Sequence, residues 1–140
     1  GAVYDEIVDA VQNRGVHSVG LYGFSHGGGS IYDLVERLQA NQASIGDFDI
    51  DFTGYIDSIE NDSDVDLDPE IRTPIGTNYH VNYYQQWGII PPWGSSVAGA
   101  DVDVNVTSTS WGSFIWHITI TNSAEVQAGI HDPLVFRVPR

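Results

Sequence analysis

The chain has 140 residues, of which 19 are acidic and 5 are arginine, and it contains neither lysine nor cysteine. Its net charge of −14 argues against nucleic acids and anionic membranes as partners, because both are polyanions. The lack of cysteine excludes disulfide bonds and thiolate metal sites, and no apolar run approaches the roughly 20 residues of a membrane-spanning helix, so we expect no stable membrane insertion. Residues 1–140 are expected to form one soluble domain, with secretion and a cytoplasmic location both open.

The first third of the chain predicts a helix, a strand and a second helix. Residues 3–14 carry an apolar stripe and end in Arg14-Gly15, a cationic last turn followed by a glycine stop. Residues 16–22 are short and β-rich, which is typical of a buried strand. Apolar residues recur at helical spacing again over 28–41.

Three further strands are predicted downstream, at 48–56, 79–85 and 101–107. In the first of them, Phe48, Ile50 and Phe52 alternate with aspartates and are expected on one face. In a βαβ unit this strand lies parallel to the strand at 16–22 and ends at the same sheet edge. Loops cover 57–74 and 86–99, and Ser123 is a predicted N-cap for a helix over 124–131. The whole pattern predicts a reduced three-layer α/β sandwich with a small, mostly parallel sheet.

The junction between the predicted strand at 16–22 and the helix at 28–41 contains a catalytic motif. Gly23-Phe24-Ser25-His26-Gly27 fits G-x-S-x-G, the nucleophile elbow of serine hydrolases, and strand–turn–helix is the setting that the motif requires. The amides at the start of the helix favour negative charge on a reacting oxygen. We therefore predict Ser25 as nucleophile and the backbone N–H groups of His26 and Gly27 as oxyanion donors. A glycine-rich turn that cradles a phosphate is the alternative interpretation.

A serine hydroxyl needs a base and a group that orients the base. His117 lies 92 residues after Ser25, in a loop before the last predicted helix, and a late histidine agrees with the order Ser…Asp/Glu…His. We predict His117 as the base, with His131 in reserve. His17 is expected to be structural, and His80 is expected to be an ordinary surface or core residue of a strand.

Acidic residues offer several candidates for the orienting group. Asp57 stands at the end of the second predicted strand and is the predicted triad acid, with Glu60 within reach of the same edge. The following run suggests Ca²⁺ binding, because hard cations prefer carboxylates, but it does not match an EF-hand loop. A solvated acidic loop is the preferred interpretation, and neither a metal nor an organic cofactor is expected. The run contains Asp62, Asp64, Asp66 and Asp68.

Aromatic residues crowd the loops near the predicted site, and they are interpreted either as an apolar pocket for an ester or as the core of a small domain. The predicted substrate-binding residues are Phe24, Trp87, Trp93 and Trp116.

With the elbow, Asp57 and His117 assigned, the chain resembles the lipase and esterase side of the α/β-hydrolase superfamily. The resemblance spans roughly residues 3–131 and matches the C-terminal half of a usual hydrolase, from the elbow onward. It implies an α/β-hydrolase-like domain that is either minimal or a C-terminal fragment. In the family a second oxyanion N–H comes from a loop after an earlier strand, for which the 24 residues before Ser25 leave no room.

The expected function is hydrolysis of a small-molecule or lipid carboxylic ester through a Ser25–His117–Asp57 triad and an acyl-enzyme. Two alternatives keep the same architecture: a thioesterase or peptidase on the same triad, and a non-catalytic or truncated hydrolase-like module that needs a partner. An exposed edge of the parallel sheet makes a homo-oligomer a further expectation.

Overall fold

The computed structural model describes residues 1–64, 66–89 and 91–139. The predicted loops at 57–74 and 86–99 each contain one residue, at positions 65 and 90, that lies outside this range. Two short 3₁₀ turns accompany the main elements, at Val106–Ser108 and Ile120–Asn122. In chain order the helices and strands are α1 (Ala2–Arg14), β1 (Ser18–Phe24), α2 (His26–Ala40), α3 (Gln42–Ile45), β2 (Asp49–Ile56), β3 (His80–Tyr84), β4 (Val102–Asn105) and α4 (Ala124–Arg137).

The four strands form one parallel sheet in the order β1-β2-β3-β4. Parallel strands need a crossover between them, and α2 and α3 supply it between β1 and β2. Because all four strands run in the same direction, their carboxyl ends lie along one sheet edge. Ser25 follows β1 directly and Asp57 follows β2 directly, so both residues reach that edge.

A β-bulge in β2 changes which side chains share a face. Val19 pairs with Ile50 but Gly20 pairs with Phe52, so β2 contains one extra residue, Asp51. An extra residue reverses the alternation of a strand. The expectation that Phe52 shares a face with Phe48 and Ile50 is therefore wrong: Phe52 packs in the opposite core. The Asp51 carboxylate is held by the Ser18 hydroxyl and by the Asn78 amide at 2.8 Å.

Helices cover both faces of the sheet, which gives a three-layer α/β arrangement. On one face α1 and α2 pack over the sheet, with Val35 and Leu38 of α2 fully buried. On the other face α4 contributes Val126 and Ile130. Tyr55 and Ile56 are neighbours in β2 and belong to opposite cores. In the part of the chain that the structure describes, every helix is too short or too polar to cross a bilayer.

Several boundaries differ from the sequence prediction. β1 ends at Phe24 rather than at 22, and α2 begins at His26 rather than at 28, so Ser25 alone separates strand from helix. β4 ends at Asn105, whose side chain accepts a hydrogen bond from the Thr107 amide and starts a 3₁₀ turn. α4 continues through Pro133 to Arg137, because its last turns pack against the sheet, where Leu134 and Val138 lie directly over Gly20.

Candidate active site

Ser25 occupies a strained turn between β1 and α2. Its φ of 56° and ψ of −132° lie outside the regions that residues with a side chain usually adopt. The turn is fixed by three backbone hydrogen bonds: Ser25 N–H donates to Ile56 O at 3.1 Å, and Ser25 O accepts from the amides of Gly28 at 2.9 Å and Ile59 at 3.0 Å. These hydrogen bonds anchor the turn against the end of β2 and against the first turn of α2.

The glycines around the turn permit close packing of backbone on backbone. A Cβ atom on Gly23 would lie 2.3 Å from the Gly27 carbonyl oxygen, and one on Gly28 would lie 1.9 Å from Ser58 Oγ. At Gly27 a Cβ would meet nothing within 4 Å, so this glycine faces open space. Two of the three glycines are thus required by contacts inside the protein.

Asp57 follows β2 with a positive φ of 47°, and its side chain is fully buried. Its backbone N–H donates to Tyr83 O at 2.7 Å, which ties the residue to β3. A buried carboxylate is costly unless hydrogen bonds compensate for its lost hydration. Here Oδ1 accepts from the Gln85 backbone N–H at 3.0 Å, and Oδ2 accepts from the Gln85 side-chain amide at 2.9 Å.

His117 lies in the long connection between β4 and α4 and completes a chain of hydrogen bonds. Its Nδ1 is 2.6 Å from Asp57 Oδ2, and its Nε2 is 3.0 Å from Ser25 Oγ. The Phe24 ring packs against the imidazole with 4.7 Å between ring centroids. The structure thus brings Ser25, Asp57 and His117, the three predicted triad residues, into one continuous arrangement across 92 residues of chain.

The two predicted oxyanion donors lie at the first turn of α2. The amides of Gly28 and Gly29 are used by Ser25 O and Ile59 O. The amides of His26 and Gly27 have no such acceptor within residues 1–64, 66–89 and 91–139. Two N–H groups beside Ser25 are therefore free to bind a negatively charged oxygen, and the dipole of α2 adds to that preference. The His26 side chain itself is exposed.

An apolar cavity of about 440 Å³ adjoins the imidazole of His117. Its rim contains Trp87 and Trp116, whose ring centroids are 6.4 Å apart and whose rings lie edge to face. Trp93, the remaining predicted tryptophan, lines a different cavity with Gln86 and Gly94. The residues around the cavity beside His117 are Trp87, Gly88, Ile89, Pro91, Pro92, Trp116 and Ile118.

The other candidate residues lie away from the triad. His131 is exposed on α4 and pairs with Asp132 at 3.1 Å. His17 is exposed and its Nδ1 is 2.9 Å from Asp47 O. His80 is fully buried in β3, with Nδ1 2.8 Å from Thr53 Oγ1, and burial lowers its pKa to about 4. Of the two positions expected for His80, surface or core, the structure therefore shows the core.

The acidic run forms a ladder of local turns. The amides of Asp64, Asp66 and Asp68 each donate to the carboxylate two residues earlier, at 3.1 Å. Carboxylate oxygens of Glu60, Asp62 and Asp66 lie within 4.8 Å of one another. Glu60 packs beside this run, and burial together with the charge of Asp62 raises its pKa. The preferred interpretation as a solvated acidic loop stays a prediction.

Gln85 is the residue of this site that the sequence reasoning did not single out. It follows β3 directly, is 1% exposed, and supplies two of the three hydrogen bonds to the Asp57 carboxylate. A glutamine at the end of a predicted strand carries no signal of its own, since its partner lies 28 residues away in the chain. The contact arises because β2 pairs with β3, which brings the residues that follow the two strands side by side.

The chain was compared with models of known protein families, with curated protein sequences and with solved structures, and none of the three comparisons gave a match.

Proposed function

We propose that this protein is a serine hydrolase that cleaves carboxylic esters, and that its site belongs to the lipase and esterase type of the α/β-hydrolase superfamily. The observation that carries the proposal is the unbroken chain from Ser25 Oγ through His117 to the buried carboxylate of Asp57. A nucleophile, a base and an orienting acid within hydrogen-bond distance form the constellation that activates a serine.

In the proposed reaction, Ser25 Oγ forms a bond to the ester carbonyl carbon while its proton passes to His117 Nε2. The bond from that carbon to the alcohol oxygen then breaks, and His117 returns the proton to the departing alcohol. Water attacks the acyl-enzyme in the same way, and Ser25 leaves with its proton restored. Asp57 holds the imidazole with Nε2 toward Ser25 and stabilises the positive charge that forms on the ring.

The oxygen of the attacked carbonyl becomes negatively charged and needs hydrogen-bond donors. The amides of His26 and Gly27 are proposed for this role, supported by their position at the start of α2 and by the open space at Gly27. Loss of one such donor typically lowers turnover by about 10²–10³. The elbow and the helix start therefore act together in the proposed mechanism.

The cavity beside His117 suggests an apolar group on the ester. Tryptophan, proline and isoleucine side chains form its walls, and apolar walls favour acyl or aromatic groups over charged ones. With a net charge of −14, the protein also repels anionic substrates. Uncharged esters with an apolar group are thus the proposed substrates.

The proposal is tested with a fluorophosphonate, which reacts with activated serine nucleophiles. The protein is incubated with the reagent, its intact mass is measured, and the modified peptide is mapped. A single adduct on Ser25 and hydrolysis of p-nitrophenyl esters are expected in the wild type and in Ser18→Ala, and both are expected to be absent from Ser25→Ala. Ser18→Ala is a matched control because it removes a hydroxyl at the opposite end of β1 from Ser25. Folded wild-type protein that gains no adduct would overturn the proposal.

A further inference from the structure

Gln85 makes four hydrogen bonds in the site, three through its buried side chain and one through its backbone N–H. Its side-chain nitrogen donates to Asp57 Oδ2 at 2.9 Å and to Pro92 O at 3.1 Å, and its side-chain oxygen accepts from the Trp87 amide at 2.9 Å. Its backbone N–H donates to Asp57 Oδ1 at 3.0 Å. Both polar atoms of the side chain therefore have hydrogen-bond partners.

These contacts fix the rotation of the Asp57 carboxylate. One oxygen, Oδ1, receives the Gln85 backbone N–H, while Oδ2 receives both the Gln85 amide and His117 Nδ1. A carboxylate bound at only one oxygen can rotate about its Cβ–Cγ bond and carry Oδ2 away from the imidazole. With donors on both oxygens, that rotation would also break the two hydrogen bonds from Gln85 in a buried site, where unsatisfied groups cost about 1–3 kcal/mol each.

From this geometry we infer that Gln85 is a positioning residue: its side chain holds Asp57 Oδ2 against His117 Nδ1 and joins the triad acid to the loop that lines the apolar cavity. The inference rests on the proposed function, since it assigns Gln85 to the same triad. Gln85 acts through Asp57 and touches none of the reacting atoms.

The link to the cavity follows from the remaining two contacts. Trp87 and Pro92 both line the cavity beside His117, and both are hydrogen-bonded to the Gln85 side chain through their backbones. One side chain therefore sets the position of the acid and of the cavity wall. Substitution of the Gln85 side chain should lower the catalytic rate more than it destabilises the sheet, because the backbone pairing of β3 does not involve that side chain.

Two substitutions separate positioning from simple packing. Gln85→Leu removes all side-chain hydrogen bonds at similar volume, while Gln85→Glu keeps an acceptor for the Trp87 amide and places a carboxylate oxygen against Asp57 Oδ2. Gln86→Leu is the matched control, since Gln86 is exposed and lies outside the triad. Folding is checked by circular dichroism and thermal unfolding.

The first readout is the proton resonance of the His117 Nδ1–H group, which moves far downfield when that proton is held between imidazole and carboxylate. We expect the resonance in the wild type and in Gln86→Leu, and its loss or upfield shift in both Gln85 variants. The second readout is steady-state ester hydrolysis, where kcat should fall about 10–100-fold in the Gln85 variants, since misplaced catalytic groups cost rate on this scale. KM should change less than kcat.

The two readouts distinguish the inference from the proposed function. If the wild type shows the resonance but hydrolyses no ester and gains no fluorophosphonate adduct, the function fails, and the effect of Gln85 on the resonance still decides its positioning role. A resonance and a kcat that are unchanged in Gln85→Leu would overturn the inference. So would failure of both Gln85 variants to fold, because the side chain would then be needed for the fold itself.

Discussion

The strain at Ser25 is balanced by hydrogen bonds that no single segment supplies. A residue in such a conformation costs on the order of 1–3 kcal/mol and persists only where its surroundings hold it. Around Ser25 the partners come from the end of β2, from the connection that follows it and from the first turn of α2. The Ser25 Oγ atom lies 3.0 Å from His117 Nε2 in this turn. The hydrogen bonds that hold the strained backbone therefore also hold the hydroxyl in position for the proposed chemistry.

At Asp57, the proposed triad acid, removal of charge should be far more costly to catalysis than at any other aspartate of the same connection. Asp57→Asn keeps the shape but leaves an amide in place of the group that orients His117, and we expect kcat to fall by about 10³–10⁴. Asp64→Asn is the control, because Asp64 is exposed in the acidic run. Equal effects of the two substitutions on ester hydrolysis would remove Asp57 from the mechanism.

Gly27 and Gly28, neighbours in the first turn of α2, should respond differently to the same substitution. In Gly28→Ala the new methyl group would meet both Oγ and Cβ of Ser58, at 1.9 Å and 2.5 Å, and overpacking of this kind destabilises by about 1–3 kcal/mol. Gly27→Ala meets open space and should leave stability unchanged or raise it by up to about 1 kcal/mol, since alanine favours helix. Urea unfolding of the two variants measures the difference, and equal stabilities would contradict the packing around Ser58.

Among the larger elements, the connection from β2 to β3 contains a close ion pair between Arg72 and the buried Glu70. The Glu70 side chain is fully buried and accepts from Arg72 three times, from its backbone N–H at 2.9 Å, from Nε at 2.8 Å and from a terminal nitrogen at 2.6 Å. The Arg72 guanidinium also lies 3.9 Å from the centroid of the Tyr32 ring on α2. These hydrogen bonds to Glu70 raise the pKa of Arg72, so the guanidinium stays charged at every accessible pH.

Removing the arginine should therefore destabilise the whole domain. Arg72→Ala leaves the Glu70 carboxylate buried without its cation, and loss of one partner of such a pair costs about 3 kcal/mol. Arg37→Ala is the control, since Arg37 packs over Tyr4 at the surface and has no buried carboxylate partner in the described part of the chain. Chemical unfolding that shows equal losses for both variants would contradict this role of Glu70.

His80, in strand β3, should make the stability of the folded domain depend on pH. Its ordinary pKa of 6.5 falls to about 4 in the folded protein, because burial disfavours the charged ring. Above pH 6.5 both folded and unfolded states hold it neutral; between pH 6.5 and 4 only the unfolded state takes up the proton. This group alone should thus lower the free energy of unfolding as pH falls, by up to about 3 kcal/mol at pH 4.

The contribution of His80 is isolated by comparing variants rather than by the pH curve of the wild type. We expect the difference in stability between wild type and His80→Asn to shrink steadily from pH 7 to pH 4. His17→Asn, which changes an exposed histidine, is the control for the loss of an imidazole at the surface. A constant difference between wild type and His80→Asn would show that the buried ring takes up a proton without penalty.

For the molecule as a whole, the dominant long-range force is repulsion between negative charges. The 19 acidic residues face only 5 arginines, and an excess of one sign destabilises the compact state. Salt weakens this repulsion, because the Debye length falls from about 10 Å at 0.1 M to about 3 Å at 1 M.

Stability should consequently rise with ionic strength. Between 0.1 M and 1 M NaCl at pH 7 we expect Tm to increase by about 3–5 °C, which corresponds to about 1 kcal/mol for a domain of this size. At pH 4 many carboxylates are protonated, so the increase should be smaller. A Tm that falls with salt at pH 7 would mean that ion pairs such as Arg72–Glu70 outweigh the general repulsion.

The types of the main elements, and the motif between β1 and α2, were determined by the sequence alone. Hydrophobic periodicity depends on local backbone geometry, so helices and strands can be read from adjacent residues, and each predicted helix and strand has a counterpart in the structure. G-x-S-x-G is equally local, because the glycines and Ser25 shape a single turn. The choice of Asp57 and His117 as partners of Ser25 in the proposed triad followed from that motif and from the chain order Ser…Asp/Glu…His.

Only the tertiary structure decided how these elements meet. The bulge at Asp51 reverses the face of Phe52, the packing of Leu134 and Val138 extends α4 past Pro133, and the pairing of β2 with β3 brings Gln85 to Asp57. Each depends on contacts between residues far apart in the chain, and no local pattern encodes them. For the same reason the division of the tryptophans, with Trp87 and Trp116 beside His117 and Trp93 elsewhere, emerged only once the loops were folded against the sheet.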